Sequence, residues 1–302
     1  MSKFIIFFEE KEGTSALLRL LDNFKDVSIV HLVPGDERAP DGWEPFDKHQ
    51  GGRMSLRVLK RCLNLVLSES AIDFERLNKI YTKKAIRPLE PIDPRVAAIG
   101  FKMRYHPPSR PRYASMFRRV SPRIFRALVR RHYRAFERMI IDVLQRNDVV
   151  VFIAVRQDVF RWGLSKYHGD GTGKKGHLQF KLASGEIDKG DIGKISVDTD
   201  RLERIIAKCE EAHTLKRRLL EKLAAAGIRA YPLLYEDFLE NKPRFFAETL
   251  AHLGMQVSPE EIESALGQGA VFKKVHSDDI SSFVENHEEV KRKFADRFVS
   301  WR

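Results

Sequence analysis

Cysteine is scarce in this chain. Cys62 and Cys209 are the only two in 302 residues, far apart on helix-like stretches. That excludes a disulfide framework and leads us to expect reduced thiols in a cytoplasmic protein. Long apolar runs are missing too, and none approaches the roughly 18 residues that a membrane helix needs. The first apolar stretch, residues 4–8, runs at once into Glu9 and Glu10, which is too short and wrongly flanked for a signal peptide. The G-x-x-x-x-G-K-[ST] signature of nucleotide kinases is absent. So is any H-x-x-E-H or paired-carboxylate spacing, so no metal site is expected. Repeats and low-complexity tracts are absent, and 18 Gly and 13 Pro are ordinary numbers. Collagen, coiled-coil arrays and whole-chain disorder are thereby excluded.

Acidic residues are missing from one region in particular. Between Lys102 and Arg138 there are twelve Lys and Arg residues and one acid, Glu137. This segment carries +11 of a chain whose net charge is +12. A concentrated positive field attracts a polyanion, an anionic lipid or glycolipid, or a phosphorylated ligand. It also fits a solvated helix face.

Apolar periodicity sets out the elements. Residues 4–8 read as a buried strand, 16–24 as a helix and 27–32 as a second strand. A Pro/Gly/Asp loop over 34–52 follows, then a helix over 54–67 and a strand over 96–103. Residues 121–145 read as a helix, with Ser121 and Pro122 as cap and first-turn residues. A strand over 149–155, a helix over 159–167, a long loop over 169–193, a helix over 200–226 and a strand over 228–234 come next. Two or three helices finish the chain. Strands alternating with helices predict a parallel sheet covered on both faces. Ligands of such sheets collect beyond the carboxyl ends of the strands. Three strand-following loops therefore bear on function.

The first loop runs from Glu9 through Glu10, Lys11, Glu12 and Gly13 to Thr14, Ser15 and Ala16 at a helix start. Unpaired amides there can hold a phosphate, with Lys11 adding a cation. A plain β-α turn with a Thr/Ser cap explains the same residues. In the second loop, Arg156 closes a strand and Ser165 follows two to three turns into the next helix. An arginine so placed binds phosphate through its fork, and Ser165 could donate to the same group or bond back to its own turn. The third loop is Gly42-Trp43-Glu44-Pro45-Phe46, where apolar neighbours raise a carboxylate toward the range useful for a general base. Gly171 to Gly176 fits G-x-G-x-x-G but follows a helix rather than a strand, so it is read as a flexible loop.

Together these pieces resemble the sulfotransferases that use 3'-phosphoadenosine-5'-phosphosulfate (PAPS), and most of all their bacterial carbohydrate branch of trehalose and nodulation-factor type. Lys11-Glu12-Gly13-Thr14-Ser15-Ala16-Leu17 stands where that branch has R-S-G-[ST]-T-L-L. Gly100-Phe101-Lys102 matches its G-[FL]-K. Arg156, Asp158, Ser165 and Tyr167 match its 3'-phosphate motif, with Thr172, Gly173 and His177 as a partial continuation. Tyr235-Glu236-Asp237 and the Val284, Asn286, Glu289, Val290 set resemble its closing motifs.

The resemblance implies a single α/β domain over 1–302 with a P-loop-like central parallel sheet flanked by helices, the sulfotransferase fold. A basic, mostly helical insertion over 104–146 sits within it. It implies sulfuryl transfer from PAPS to a hydroxyl of a carbohydrate or glycolipid-like acceptor. Glu44 would be the general base and Lys11 a catalytic cation. Lys11, Glu12, Gly13, Thr14, Ser15, Ala16, Arg156, Ser165 and Tyr235 would bind the cofactor. A homodimer and peripheral contact with an anionic membrane are compatible with it, and nucleic acid is not the expected partner. Glu9, Glu10 and Glu12 place like charge beside a phosphosulfate and would weaken its binding unless their side chains point outward, so either the backbone amides do the binding or cofactor use has decayed. The alternative is a catalytically decayed scaffold of the same fold that binds a polyanion, nucleic acid or anionic lipid, through its Arg-rich segment.

Overall fold

In the computed structural model the described residues are 1–31, 45–46, 55–67, 72–83, 88–93, 95–105, 121–171, 194–268 and 279–301. Glu44, Gly42, Trp43, Thr172, Gly173, His177 and the basic residues from Arg110 to Arg119 lie outside them, as does most of the Gly171–Gly176 loop.

Five strands form one parallel sheet: β1 (Ser2–Phe8), β2 (Val27–Ile29), β3 (Ala98–Arg104), β4 (Val150–Val155) and β5 (Ala230–Leu234). Their order is β2-β3-β1-β4-β5. The chain thus visits one side of β1 through β2 and β3 and then crosses to the other side for β4 and β5. That reversal makes β1 the switch point, and the crevice beyond its carboxyl end is where such sheets hold ligands. The register aligns the strand ends: Phe8 pairs with Arg104, Phe7 with Ile153, and Val155 with Leu234. Whatever follows β1, β3, β4 and β5 therefore emerges at one edge.

Alternation sends Ile5, Phe7, Phe101, Met103, Val151 and Ile153 to one face. There they pack against α2 (Leu56–Leu67), α3 (Phe74–Lys83) and α4 (Pro122–Arg146). Phe4, Ile6, Phe8, Val150 and Phe152 point to the other face. They meet α1 (Thr14–Asp22) and the later helices α8 (Lys242–His252) and α9 (Pro259–Gly267). Both faces of every central strand are buried, which is why the strands are unbroken apolar runs. Gly100 is required inside β3, because a Cβ there would stand 2.3 Å from the Phe4 ring. Pro232, which has no N–H to donate, sits in the edge strand β5.

A third cluster joins α5 (Val159–Gly171) and α6 (Thr199–Ala225) to residues 280–294, around Trp162, Leu202, Ile206, Val284 and Val290. Asn286 pins this cluster by exchanging two hydrogen bonds with the backbone of Val197, at 2.9 and 3.0 Å. After β5 come α7 (Tyr235–Glu240), α8, α9, a 3-10 turn at Ile280–Ser282 and α10 (His287–Phe294), one helix more than expected. Also not foreseen is α3, a short helix with Leu77 and Tyr81 fully buried. Ser121 caps α4 and Pro122 opens it, as expected. Both cysteines are buried free thiols, and burial pushes Cys62 up to about 12 and Cys209 to about 11. Among the described residues no helix is long and apolar enough to cross a membrane.

Candidate functional site

The corner between β1 and α1 is held in a costly shape. Lys11 has φ 68° and Gly13 has φ 77°. The left-handed region costs a non-glycine residue about 1–2 kcal/mol, so surrounding bonds must hold Lys11 there. The Lys11 carbonyl accepts from Arg156 Nη1 at 3.2 Å. The Glu10 carbonyl accepts from the Trp162 indole at 2.7 Å. The Glu9 amide donates to Glu12 Oε2 at 2.7 Å.

Gly13 is the N-cap of α1 and has no side chain to cap it, which leaves the first amides of the helix without an intrahelical acceptor. The Ala16 amide is the exception, since it donates to the Gly13 carbonyl at 3.1 Å. The Ala16 amide is thus engaged, whereas the amides of Gly13, Thr14 and Ser15 make no backbone bond among the described residues. Lys102, buried at the end of β3, donates to Ser15 Oγ at 2.8 Å and lies 4.8 Å from the centre of the Phe8 ring. This brings a cation up to the helix start.

The three acids separate. Glu10 swings to the flank and pairs with Arg104, the last residue of β3. Glu12 does not point outward: it turns inward and is 3% exposed. Its carboxylate pairs with Lys216, which reaches in from α6, donates to the Ala154 carbonyl at 2.7 Å and lies 5.2 Å from the centre of the Trp162 ring. Burial raises the pKa of Glu12, and the charge of Lys216 opposes that rise. The corner is therefore pinned from beneath by a buried ion pair whose charges cancel. Lys11 is exposed, and its charge, second to burial, holds His168 below the ordinary histidine range.

The other pole is Arg156, one residue past β4. Its guanidinium faces the corner, with Cζ 4.9 Å from the centre of the Tyr235 ring, and Tyr235 directly follows β5. The same ring closes over Gly13, where a Cβ would stand 2.4 Å from Cε2. Lys11, Gly13, Arg156 and Tyr235 are thus one contiguous group, as the sequence suggested. Arg156 Nε is buried and, among the described residues, has no hydrogen-bond partner. A buried unpaired donor of this kind is costly, and its position in a cation-lined crevice suits an anion. Ser165 is half-buried on α5, and no hydrogen bond joins it to Arg156 among the described residues.

Sequence reasoning missed what supports Arg156. The Trp301 indole donates to His213 Nδ1 at 2.7 Å. An indole nitrogen can only donate, so the His213 proton sits on Nε2, which donates to the Arg156 carbonyl at 3.0 Å. Burial, and then the charge of Lys216, lowers His213 to about 4, so it stays neutral in this relay. Next along, Gln157 accepts from the Trp301 amide at 2.8 Å through its side chain and from the Val299 amide at 3.0 Å through its carbonyl. Residues 297–301 thus strap the loop that carries Arg156. Glu236 accepts from the Asp158 amide at 3.0 Å, and its second oxygen is buried without a partner among the described residues. These groups are 57 to 145 residues apart in the chain, a separation that no local pattern signals.

The residues present offer two groups suited to anions, the uncapped start of α1 with Lys102 behind it and the Arg156 guanidinium. The anchored residues Pro45 and Phe46 bound the region of Glu44: Tyr81 donates to the Pro45 carbonyl at 3.1 Å, and Phe46 packs on Phe101 with ring centres 4.7 Å apart.

No protein-family model matches the chain, and no curated protein does. Among solved structures it is similar to the crystal structure of a sulfotransferase from Alicyclobacillus acidocaldarius. That similarity has 13% identity and a TM-score of 0.42, over 98% of this chain and 92% of that one.

Proposed function

We propose that this protein is a PAPS-dependent sulfotransferase acting on a hydroxyl of a carbohydrate or glycolipid-like acceptor. The observation that carries this reading is the double grip. The β1–α1 corner and the Arg156 guanidinium stand side by side at the sheet's carboxyl edge. They are linked through the Lys11 carbonyl and the Tyr235 ring. An anionic nucleotide held at both ends suits that arrangement better than one with a single phosphate tail.

When bound, PAPS supplies the activated sulfuryl group and a bisphosphate leaving nucleotide. The chain's own residues then divide the work. The amides of Gly13, Thr14 and Ser15, with Lys11 and the Lys102–Ser15 pair, offset charge growing at the corner, a preorganised electrostatic role. Arg156 holds the 3'-phosphate, which separates this nucleotide from ATP. Ser165, half a helix away on α5, is the weaker member of that subsite. Glu44 takes the proton of the acceptor hydroxyl.

The test is selective stabilisation. Adenosine 3',5'-bisphosphate should raise the melting temperature while ATP does not. Arg156→Ala should weaken bisphosphate binding by about 1.5–3 kcal/mol, the range for a hydrogen bond to a charged group. Glu44→Gln should abolish turnover with bisphosphate binding intact. Equal stabilisation by ATP, or an Arg156→Ala protein that binds like the parent, refutes the reading. Tight polynucleotide binding with a steep salt dependence and no bisphosphate binding would establish the decayed polyanion binder instead.

A further inference from the structure

Where the chain leaves β3 lies a cavity of about 550 Å³, within the size range of small-molecule sites. Its back wall is Tyr105, the residue after Arg104, whose ring meets Phe7 and Phe136 with centres 5.1 and 5.7 Å away. The half-exposed Tyr133 of α4 adds a second aromatic surface, and Phe136 of the same helix is buried against Tyr105. Arg134 and Arg138, one turn apart on the same helix, complete the rim.

The charges in this cavity are unevenly matched. Glu137 is held by Lys222 of α6, with both carboxylate oxygens 2.8 Å from Nζ, so the only acid in the wall is already neutralised. Arg134 and Arg138 meet no carboxylate among the described residues. Arg138 Nε donates to the Arg134 carbonyl at 3.4 Å. Like charges four residues apart on a helix repel, and an anion between them would relieve the repulsion. The rings of Tyr133 and Tyr105 offer apolar surface to a ring, and two forked cations offer bidentate recognition of a carboxylate. Through the Tyr105–Phe7 contact the cavity lies against β1, the strand that leads into the corner.

We infer that this cavity binds a hydroxylated ring compound carrying a carboxylate, a uronic acid type of sugar, as the acceptor's anchoring end. That the compound serves as acceptor rests on the sulfuryl-transfer reading, whereas its binding does not. The probes are p-nitrophenyl β-D-glucuronide and p-nitrophenyl β-D-glucoside, which differ by the carboxylate alone, titrated by calorimetry into the full-length chain. The glucuronide should bind about tenfold more tightly than the glucoside, as a charge-assisted pair implies. In the Arg134→Gln/Arg138→Gln double variant that preference should vanish, with the melting temperature and adenosine 3',5'-bisphosphate binding unchanged. Tyr133→Ala should weaken both sugars alike. Equal binding of the two sugars by the parent, no binding of either, or a preference that survives the double variant each overturns the inference. In all three cases bisphosphate binding by the parent would show the transferase reading still standing, and its loss would show that reading failing on its own.

Discussion

Lys216→Met isolates the ion pair beneath the corner. Lys216 is the sole cation paired with Glu12 among the described residues, and both are almost wholly buried. Removing the ammonium strands a buried carboxylate, a change that costs about 3–5 kcal/mol when the charge stays uncompensated. It also frees the Ala154 carbonyl. The carboxylate can escape by taking a proton, and this gives the prediction its pH signature. Glu12 already has a folded-state pKa raised above its reference of 4.5. Without Lys216 the two largest opposing influences are gone and the pKa rises further. A raised folded pKa contributes stability that is full below the unfolded value and lost as pH rises. Each pH unit above that value costs about 1.4 kcal/mol while Glu12 stays protonated. Urea unfolding should therefore show the gap between variant and parent widening between pH 5 and 7, by up to about 3 kcal/mol. Adding Glu12→Gln should recover most of the loss, since replacing both members of a buried pair is often near neutral. A defect of equal size at both pH values, or a double variant no better than Lys216→Met, refutes the reasoning.

The strap behind Arg156 makes its own acid prediction. His213 has a folded value of about 4 against 6.5 unfolded, so the stability it contributes is present above pH 6.5 and lost as pH falls toward 4. Urea titrations at pH 7 and 4.5 should show that loss, with a slope of at most about 1.4 kcal/mol per pH unit, and His213→Gln should flatten it. An unchanged slope in His213→Gln would remove His213 as its source. Gly13→Ala should cost about 1–2 kcal/mol for the left-handed backbone alone. It should also displace Tyr235 from Gly13 and so weaken bisphosphate binding, and parent-like affinity by calorimetry would contradict the Tyr235–Arg156 stack.

What could be read from the chain is what depends on neighbours in sequence. The strands showed because both faces of the sheet are buried, turning residues 4–8 and 149–155 into apolar runs. Arg156 showed because it ends one of them. Helix α3 did not, because FERLNKIYTK puts only Leu77 and Tyr81 fully inside, too few to set a period. Strand β2 ends at Ile29 rather than 32, although Val30 still donates to the Gly100 carbonyl at 2.8 Å. Lys216 looks like any polar position of a long amphipathic helix, and nothing in its neighbourhood marks it as the one lysine of α6 that points inward.

Glu12 shows why that matters for function. Read along the chain, an acid before the glycine of an anion-binding turn argues against an anion, since a like charge within about 5 Å repels it. Folded, the same carboxylate takes the Glu9 amide, meets a cation from a helix 204 residues away and lies beneath the turn. Its charge is cancelled by Lys216, while its bonds help hold the strained backbone at Lys11 that carries the Arg156 contact. The residue that looked most hostile to the proposed ligand is thus part of the scaffold that would present it. If so, Glu12→Ala should lose more bisphosphate affinity than Glu10→Ala, although removing either acid makes the corner more positive. The opposite ranking by calorimetry would mean that electrostatic repulsion, and not loop geometry, governs binding there.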